Sequence, residues 1–472
     1  MTDPLGNSEF CFLLISMFPS TSSREILRFS GNKIHCSSRD QSLSGNCYSI
    51  SDSVLIFSHF VLAETKNNAG NQGTSHTALR VTVLANGWSS LFGSYLNIQE
   101  QLVTQLAQHK QVQTTLLVPQ FACSEEEKNT ARNHNISIRE AEIRTGYNDP
   151  LDWLSFPPRD LAIDVVVGWG VNLGKQAQVI RQSHSCKWVH VVHTAPEDFG
   201  MCKDCSKAIC KGVEKTRSEV DLCKLADAIA TVGPKMTEAY SSLLRSCGKH
   251  QDIIELTPGT LGEFSDITQA PMDGKTFKVL LLGRGDPEDF NLEGYDIAAR
   301  AIAALKDTSY HVMFVSGPKG KGKEFVKQLL QSGISRCQLT MRTFLSSNKL
   351  RKRLFCEVDL LIMPSRKEFG LSALEALSAG LPILVSGNSG AGYALRTLPS
   401  GKSVVVDSEE PSDWAKAIAG VRQKDRTERL QEIQRLRMCY EETFSWEKQC
   451  EALVEKMQRI VVGKTFIEFL CL

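Results

Sequence analysis

The chain has 472 residues, of which 42% are apolar and 23% charged, a globular composition that excludes a fully disordered chain or a collagen-like repeat. Fifty-four basic side chains face fifty-three acidic ones, a net charge of +1. No global field draws such a protein to nucleic acid or an anionic membrane, so any anion it binds must be held by a local site. The length predicts about two or three domains.

Residues 1–76 differ in texture from the rest: they hold fifteen serines, show no sustained helix or strand period, and end in a polar linker over 66–76. They read as a poorly ordered N-terminal extension. The apolar runs Phe10–Phe18 and Val54–Ala63 fall short of the roughly 18 apolar residues a membrane span needs. The residues before Phe10 are acidic rather than basic, unlike a signal peptide. The expectation is no transmembrane helix and a cytoplasmic location. Fifteen cysteines without regular spacing fit reduced thiols better than a disulfide scaffold. Cys202 and Cys205 have zinc-ligand spacing, but no second pair follows at finger distance.

From Leu79 onward, short aliphatic runs alternate with amphipathic stretches. Strands are expected at Leu79–Leu84, Thr114–Val118, Asp164–Val167, Trp188–His193, Ala228–Val232 and Ile253–Leu256. A second series is expected at Lys278–Leu282, His311–Ser316, Gln338–Thr340, Asp359–Met363, Pro382–Val385 and Ser403–Val406. Most are continuous apolar runs, the mark of parallel strands covered by helices on both faces. Helices are expected over 95–107, 296–305 and 371–379. A last helix should carry Trp446, Cys450, Leu453, Met457 and Ile460 on one face. The break at 257–276 holds Pro258, Gly259, Pro271 and Gly274. The pattern predicts two doubly wound α/β domains, 77–258 and 275–440, followed by a C-terminal helix and tail over 441–472.

The most informative window runs from Val358 to Gly387: a buried strand, a short loop, a helix and another buried strand. The loop Ser365–Gly370 falls at the carboxyl end of its strand, where open α/β sheets bind ligands. The helix beginning near Leu371 offers free backbone N–H groups and the positive end of its dipole, which suits a phosphate. Gly370 permits close approach of a ligand to the backbone. Glu375 lies about 6 Å along the axis from the helix start and can accept hydrogen bonds from sugar hydroxyls. Taken alone it reads rather as a solvated helix glutamate. Gly317–Lys323 looks like a phosphate loop but lacks the required spacing, and reads as a solvated basic turn.

Pro364, Ser365, Glu368, Phe369, Gly370, Glu375, Ala376, Gly380 and Pro382 together resemble the donor-binding signature of retaining glycosyltransferases of the two-Rossmann (GT-B) type, the group 1 or family 4 enzymes. Gly283-Arg284 after its strand is similar to the family's Gly-Arg loop, and Phe444-Ser445-Trp446 to a frequent motif near its carboxyl end. The resemblance extends over about residues 78–461 and is strongest in the second half.

What it implies is transfer of a sugar from a nucleotide-diphosphate sugar to an unidentified acceptor, with retained anomeric configuration. Arg284 would neutralise the departing diphosphate, and the helix start at Gly370, Leu371 and Ser372 would add to it without a metal or other cofactor. Gly283 and Phe369 belong to the same donor-binding set. Glu375 would hold the ribose hydroxyls and Glu368 would contact the donor sugar. His193, at the end of its strand, would face the sugar from the other domain; its other reading is a core histidine. Gly93 would lie in the acceptor-side loop.

Three features depart from the family pattern. The two glutamates stand one residue closer than usual, so either the loop is shorter or Lys367 takes the first glutamate's place. Glu293 precedes Gly294 where a lysine is usual. Gly93 is the remaining member of what is usually an adjacent glycine pair. These departures keep open a catalytically impaired nucleotide-sugar-binding module on the same fold. A different two-Rossmann enzyme, such as an epimerase, has no specific support.

Overall fold

A computed structural model describes residues 11–12, 26–30, 33–37, 48–49, 78–88, 98–195, 206–269, 274–283, 285, 287–316, 322–343, 348–365 and 369–470. Residues 1–76 cluster as a unit of their own. In it the strands β1 (Cys11–Phe12), β2 (Ile26–Ser30), β3 (Lys33–Ser37) and β4 (Tyr48–Ser49) pair antiparallel in chain order.

Residues 77–472 hold two parallel sheets. The first contains β5 (Leu79–Leu84), β6 (Val112–Pro119), β7 (Ser137–Ala141), β8 (Val165–Trp169), β9 (Lys187–Val192), β10 (Ala228–Val232) and β11 (Ile253–Leu256). Its order is β7-β6-β5-β8-β9-β10-β11. The second contains β12 (Phe277–Gly283), β13 (Tyr310–Ser316), β14 (Leu339–Thr343), β15 (Leu360–Met363), β16 (Ile383–Ser386) and β17 (Val405–Val406), in the order β14-β13-β12-β15-β16-β17. Both are doubly wound, as the continuous apolar runs required: β8, β10, β15 and β16 are buried at every position. In each sheet the order reverses beside the first strand, between β5 and β8 and between β12 and β15. Open α/β sheets bind their ligands beside such a reversal, at the carboxyl ends of the strands.

An aspartate pins each reversal from the opposite end. Asp164 accepts the Arg80 backbone N–H at 2.8 Å and returns its own N–H to the Arg80 carbonyl at 3.0 Å. Asp359 does the same with Lys278, at 2.8 and 2.9 Å, and also accepts from the Arg426 guanidinium at 2.8 Å. The equivalent contacts fix the register of the paired strands while leaving the carboxyl ends open.

The helices that matter for the site are α1 (Ile98–Gln108), α2 (Glu125–Asn133), α3 (Pro150–Trp153), α4 (Gly170–Ser183), α5 (Ser206–Leu225) and α6 (Gly233–Leu244) around the first sheet. Around the second lie α7 (Tyr295–Ala304), α8 (Gly322–Gln331), α9 (Asn348–Cys356), α10 (Leu371–Ser378), α11 (Gly390–Arg396), α12 (Pro411–Gln423), α13 (Arg426–Thr443) and α14 (Trp446–Leu470). Alternate residues of β12 split between two cores: Leu280 faces the one that continues through the first sheet, whereas Val279 and Leu281 face a second one with Phe314 and Trp414. On α14, Trp446, Cys450, Leu453 and Met457 are buried and Ile460 packs against the same core. This helix returns to the first sheet: Gln449 Nε2 donates to the Thr257 carbonyl at 2.8 Å and Trp446 Nε1 to Gln101 Oε1 at 2.9 Å.

Candidate active site

The carboxyl end of β12 is Gly283. A Cβ there would collide with the Tyr295 hydroxyl of α7, so only glycine fits. Gly294, in the left-handed region at φ 68°, caps the start of α7; a Cβ on it would lie 2.5 Å from the Pro364 carbonyl. The turn before α7 thereby packs on the end of β15. Glu293 is drawn into this contact, its Oε2 accepting from Ser365 Oγ at 3.2 Å. The acid at the usual lysine position is thus hydrogen-bonded to the first residue of the Ser365–Gly370 loop.

Gly370 has φ 80° and caps α10 without a side-chain hydrogen bond. A Cβ on it would strike the Met363 thioether. Leu371 and Ser372 are half-buried at the start of the helix, ahead of Ala373, whose N–H already donates to the Gly370 carbonyl at 3.0 Å; the first two N–H groups of a helix have no intrahelical acceptor. Phe369, 2% exposed, is wedged between two glycines: a Cβ on Gly233, at the start of α6, would lie 2.6 Å from its ring, and one on Gly390 would lie 2.8 Å from its Cα. Its carbonyl accepts from Ala391 N at 2.8 Å. The signature phenylalanine therefore locks the α10 turn against both α11 and the first domain's α6.

Glu375 is not a solvated glutamate. It is 3% exposed, and its Oε1 lies 2.5 Å from Arg351 Nη2 of α9. The Arg351 guanidinium stacks over the Phe264 ring at 5.0 Å, in the segment joining the two sheets. Nothing in the local sequence of Arg351 marks it as this partner, because the pair closes over a distance in chain that no motif records. Glu263, beside Phe264, is raised above the ordinary carboxylate range by burial, opposed by Arg351 and Lys352.

His193 follows β9 on the first sheet, edge-on to Trp169 at 5.8 Å between ring centroids. Burial holds its imidazole below the ordinary range; the Glu219 carboxylate opposes that and His190 adds to it. Among the sequence-derived candidates, Gly283, Phe369, Gly370, Leu371, Ser372 and Glu375 gather around the reversal of the second sheet, and His193 stands at a strand end of the first. Arg284, Glu368, Gly93, Lys367, most of the basic turn, and Cys202 and Cys205 lie outside the described residues. Among the described residues no group of three or more His, Cys, Asp or Glu side chains could hold a metal ion, and no helix is long and apolar enough to cross a membrane.

Known proteins with related sequences and folds fit this architecture. The D-inositol 3-phosphate glycosyltransferase of Rhodococcus opacus is 29% identical over 203 residues, 41% of this chain and 44% of that protein. The protein of the same name from Corynebacterium urealyticum is 25% identical over 306 residues, 60% of this chain and 68% of its own length. The chain thus spans less than half the length of the first of these relatives. Among solved structures, sucrose-phosphate synthase of Thermosynechococcus elongatus aligns with a TM-score of 0.64 at 14% identity, covering 82% of this chain and 100% of that one. Anabaena HepE, solved with UDP and glucose, aligns at 0.60 and 15%, covering 80% and 99%. Both share the two-sheet GT-B fold. A family described as family 4 glycosyltransferase in conflict systems matches residues 82–453. With both sheets and the whole donor-type signature inside that span, the chain belongs to this family of glycosyltransferases.

Proposed function

We propose that the protein moves a sugar from a nucleoside diphosphate sugar to an acceptor hydroxyl with retention of anomeric configuration. The observation that carries the reading is the α10 turn: an uncapped helix start at Gly370, beside Gly283, at the strand reversal of the second sheet. Such a start attracts a diphosphate through its N–H groups and dipole. HepE, with the same fold, was solved with UDP and glucose. Arg284, next in sequence to Gly283, supplies the guanidinium that neutralises the leaving diphosphate. Glu375, ion-paired with Arg351, accepts from the ribose hydroxyls. Glu368 and His193 meet the sugar from the two sides, and the Gly93 loop belongs to the acceptor side. As the bond from the anomeric carbon to the diphosphate breaks, the electron pair leaves with the nucleoside diphosphate, the acceptor oxygen bonds to that carbon, and the acceptor hydroxyl's proton passes to an oxygen of the departing diphosphate. No metal is needed when amides and a guanidinium hold that charge.

The test is a panel of UDP- and GDP-sugars with the full chain, following release of the nucleoside diphosphate. Slow release is expected even without acceptor, and chelation by EDTA should leave it unchanged. Release abolished by EDTA and restored by Mg²⁺ would overturn the metal-free arrangement. The Ser365–Glu293 hydrogen bond favours a second reading, a module that binds the donor without turning it over, because it keeps an acid beside the phosphate cradle. Donor binding by calorimetry with no release across the panel would decide for it.

A further inference from the structure

Behind His193 lies a buried polar unit that no step described so far uses. His190 of β9 and His193 just beyond it are matched by Gly170 and Gly174, one turn apart on α4. A Cβ on Gly174 would lie 2.5 Å from His190 Cε1, and one on Gly170, 3.1 Å from His193 Cε1. Glu219 reaches into the same space from α5. Its Oε1 is 2.6 Å from His190 Nε2, with side-chain exposures of 2% and 0%. Its Oε2 is 3.9 Å from the position that a Cβ on Gly170 would take, so carboxylate and His193 ring border one spot.

We propose that Glu219, anchored by His190, is a positioning residue that sets the orientation and proton position of the His193 imidazole. The proposal rests on the reading that His193 faces the donor sugar. Three arguments support it. A carboxylate this deeply buried is expensive, and packing alone would be served as well or better by apolar side chains. Gly174, inside α4, is needed to admit the His190 ring, a cost to helix stability that a smaller apolar residue in place of His190 would avoid. The Nδ1 atoms of His190 and His193 are both buried without a hydrogen-bond partner among the described residues, so neither ring is oriented by a backbone acceptor there. The charge of Glu219 is what remains to orient His193. The groups that face it are Glu219 from α5, His190 from β9 and the neutral Trp169 ring from β8; Cys223, also on α5, has its thiol pushed up by burial and stays uncharged.

The experiment is a titration of the full chain carrying ¹⁵N-labelled histidine, following the ring nitrogens of His193 in wild type, Glu219→Gln and His190→Gln. In Glu219→Gln the His193 midpoint should move to lower pH, because an attractive charge is gone. In His190→Gln it should move to higher pH, because the carboxylate loses its anchor and an opposing ring. With a donor that the wild type turns over, Glu219→Gln should lower kcat about 10–100-fold, as for partners that orient a working imidazole, with KM little changed. Glu219→Asp should recover part of that loss. If His193 titrates as in the wild type in either folded variant, the proposal is overturned. Should the wild type turn over no donor while His193 still answers to Glu219, the transferase reading fails and the coupling stands.

Discussion

Glu375 carries the most weight among single residues, and its surroundings differ most from what its sequence position suggests. The signature places it one turn into a helix; the fold adds Arg351 from another helix and buries both. Removing one member leaves a desolvated charge behind, which costs about 3–5 kcal/mol. Arg351→Ala should therefore lower unfolding free energy by about that amount, measured by urea denaturation, whereas a loss below about 1 kcal/mol would show that the pair is solvated. Gly283 makes a simpler case. Its missing Cβ is the space taken by the Tyr295 hydroxyl, so Gly283→Ala forces a backbone or ring shift costing about 1–3 kcal/mol. The double variant Gly283→Ala/Tyr295→Phe should recover part of it. Glycines were legible as sites of close approach. What approaches them was not: Gly283 meets a tyrosine twelve residues on, and Gly233 meets the signature Phe369.

At the scale of elements, the twelve expected strands are all present, most within two residues of their expected ends, because a strand buried on both faces is written in sequence as an unbroken apolar run. Ser137–Ala141 was not anticipated. It is an edge strand, mostly half-exposed, whose Ser-Ile-Arg-Glu-Ala sequence lacks such a run. The helix start at Leu371 was legible from Gly370 and the signature; the contact that braces it was not, since it joins α6 of one sheet to the α10 turn of the other. Gly233 has φ 78°, and any side chain there meets the Phe369 ring. Gly233→Val should displace that turn as well as strain the backbone. Donor affinity, measured by calorimetry, should fall more than for Gly248→Val, which shares the positive φ but has open space around it. Equal losses in the two variants would mean that Phe369 does not transmit the contact.

At the scale of the whole 77–472 unit, the helix that ends the fold returns to the first sheet, and the segment between the sheets is held by side chains from both. Glu100 of α1 and Glu263 of that segment share this region. Burial, and then the like charge of Glu263, push the Glu100 carboxyl up to about 7. The folded chain keeps this proton in a range where the unfolded chain has released it, so the stability it contributes is lost as pH rises from the ordinary 4.5 through about 7. Glu100→Gln should be more stable relative to wild type at pH 8 than at pH 5; a pH-independent difference in unfolding free energy would contradict this. The two doubly wound halves could be read from strand–helix alternation, and the switch points followed from their order. The side chains that join the halves could not, because the pairs Gln449–Thr257, Trp446–Gln101 and Phe369–Gly233 each span more than a hundred residues of chain.

The donor cradle is tested most directly by calorimetry of UDP and GDP binding to wild type and to Arg284→Ala. A nucleoside diphosphate should bind the wild type, and the variant should lose about 1.5–3 kcal/mol of binding free energy, the worth of a hydrogen bond to a charged group. Equal affinity in the two proteins would remove Arg284 from the diphosphate and contradict the arrangement of guanidinium and helix start on which the proposed transfer depends.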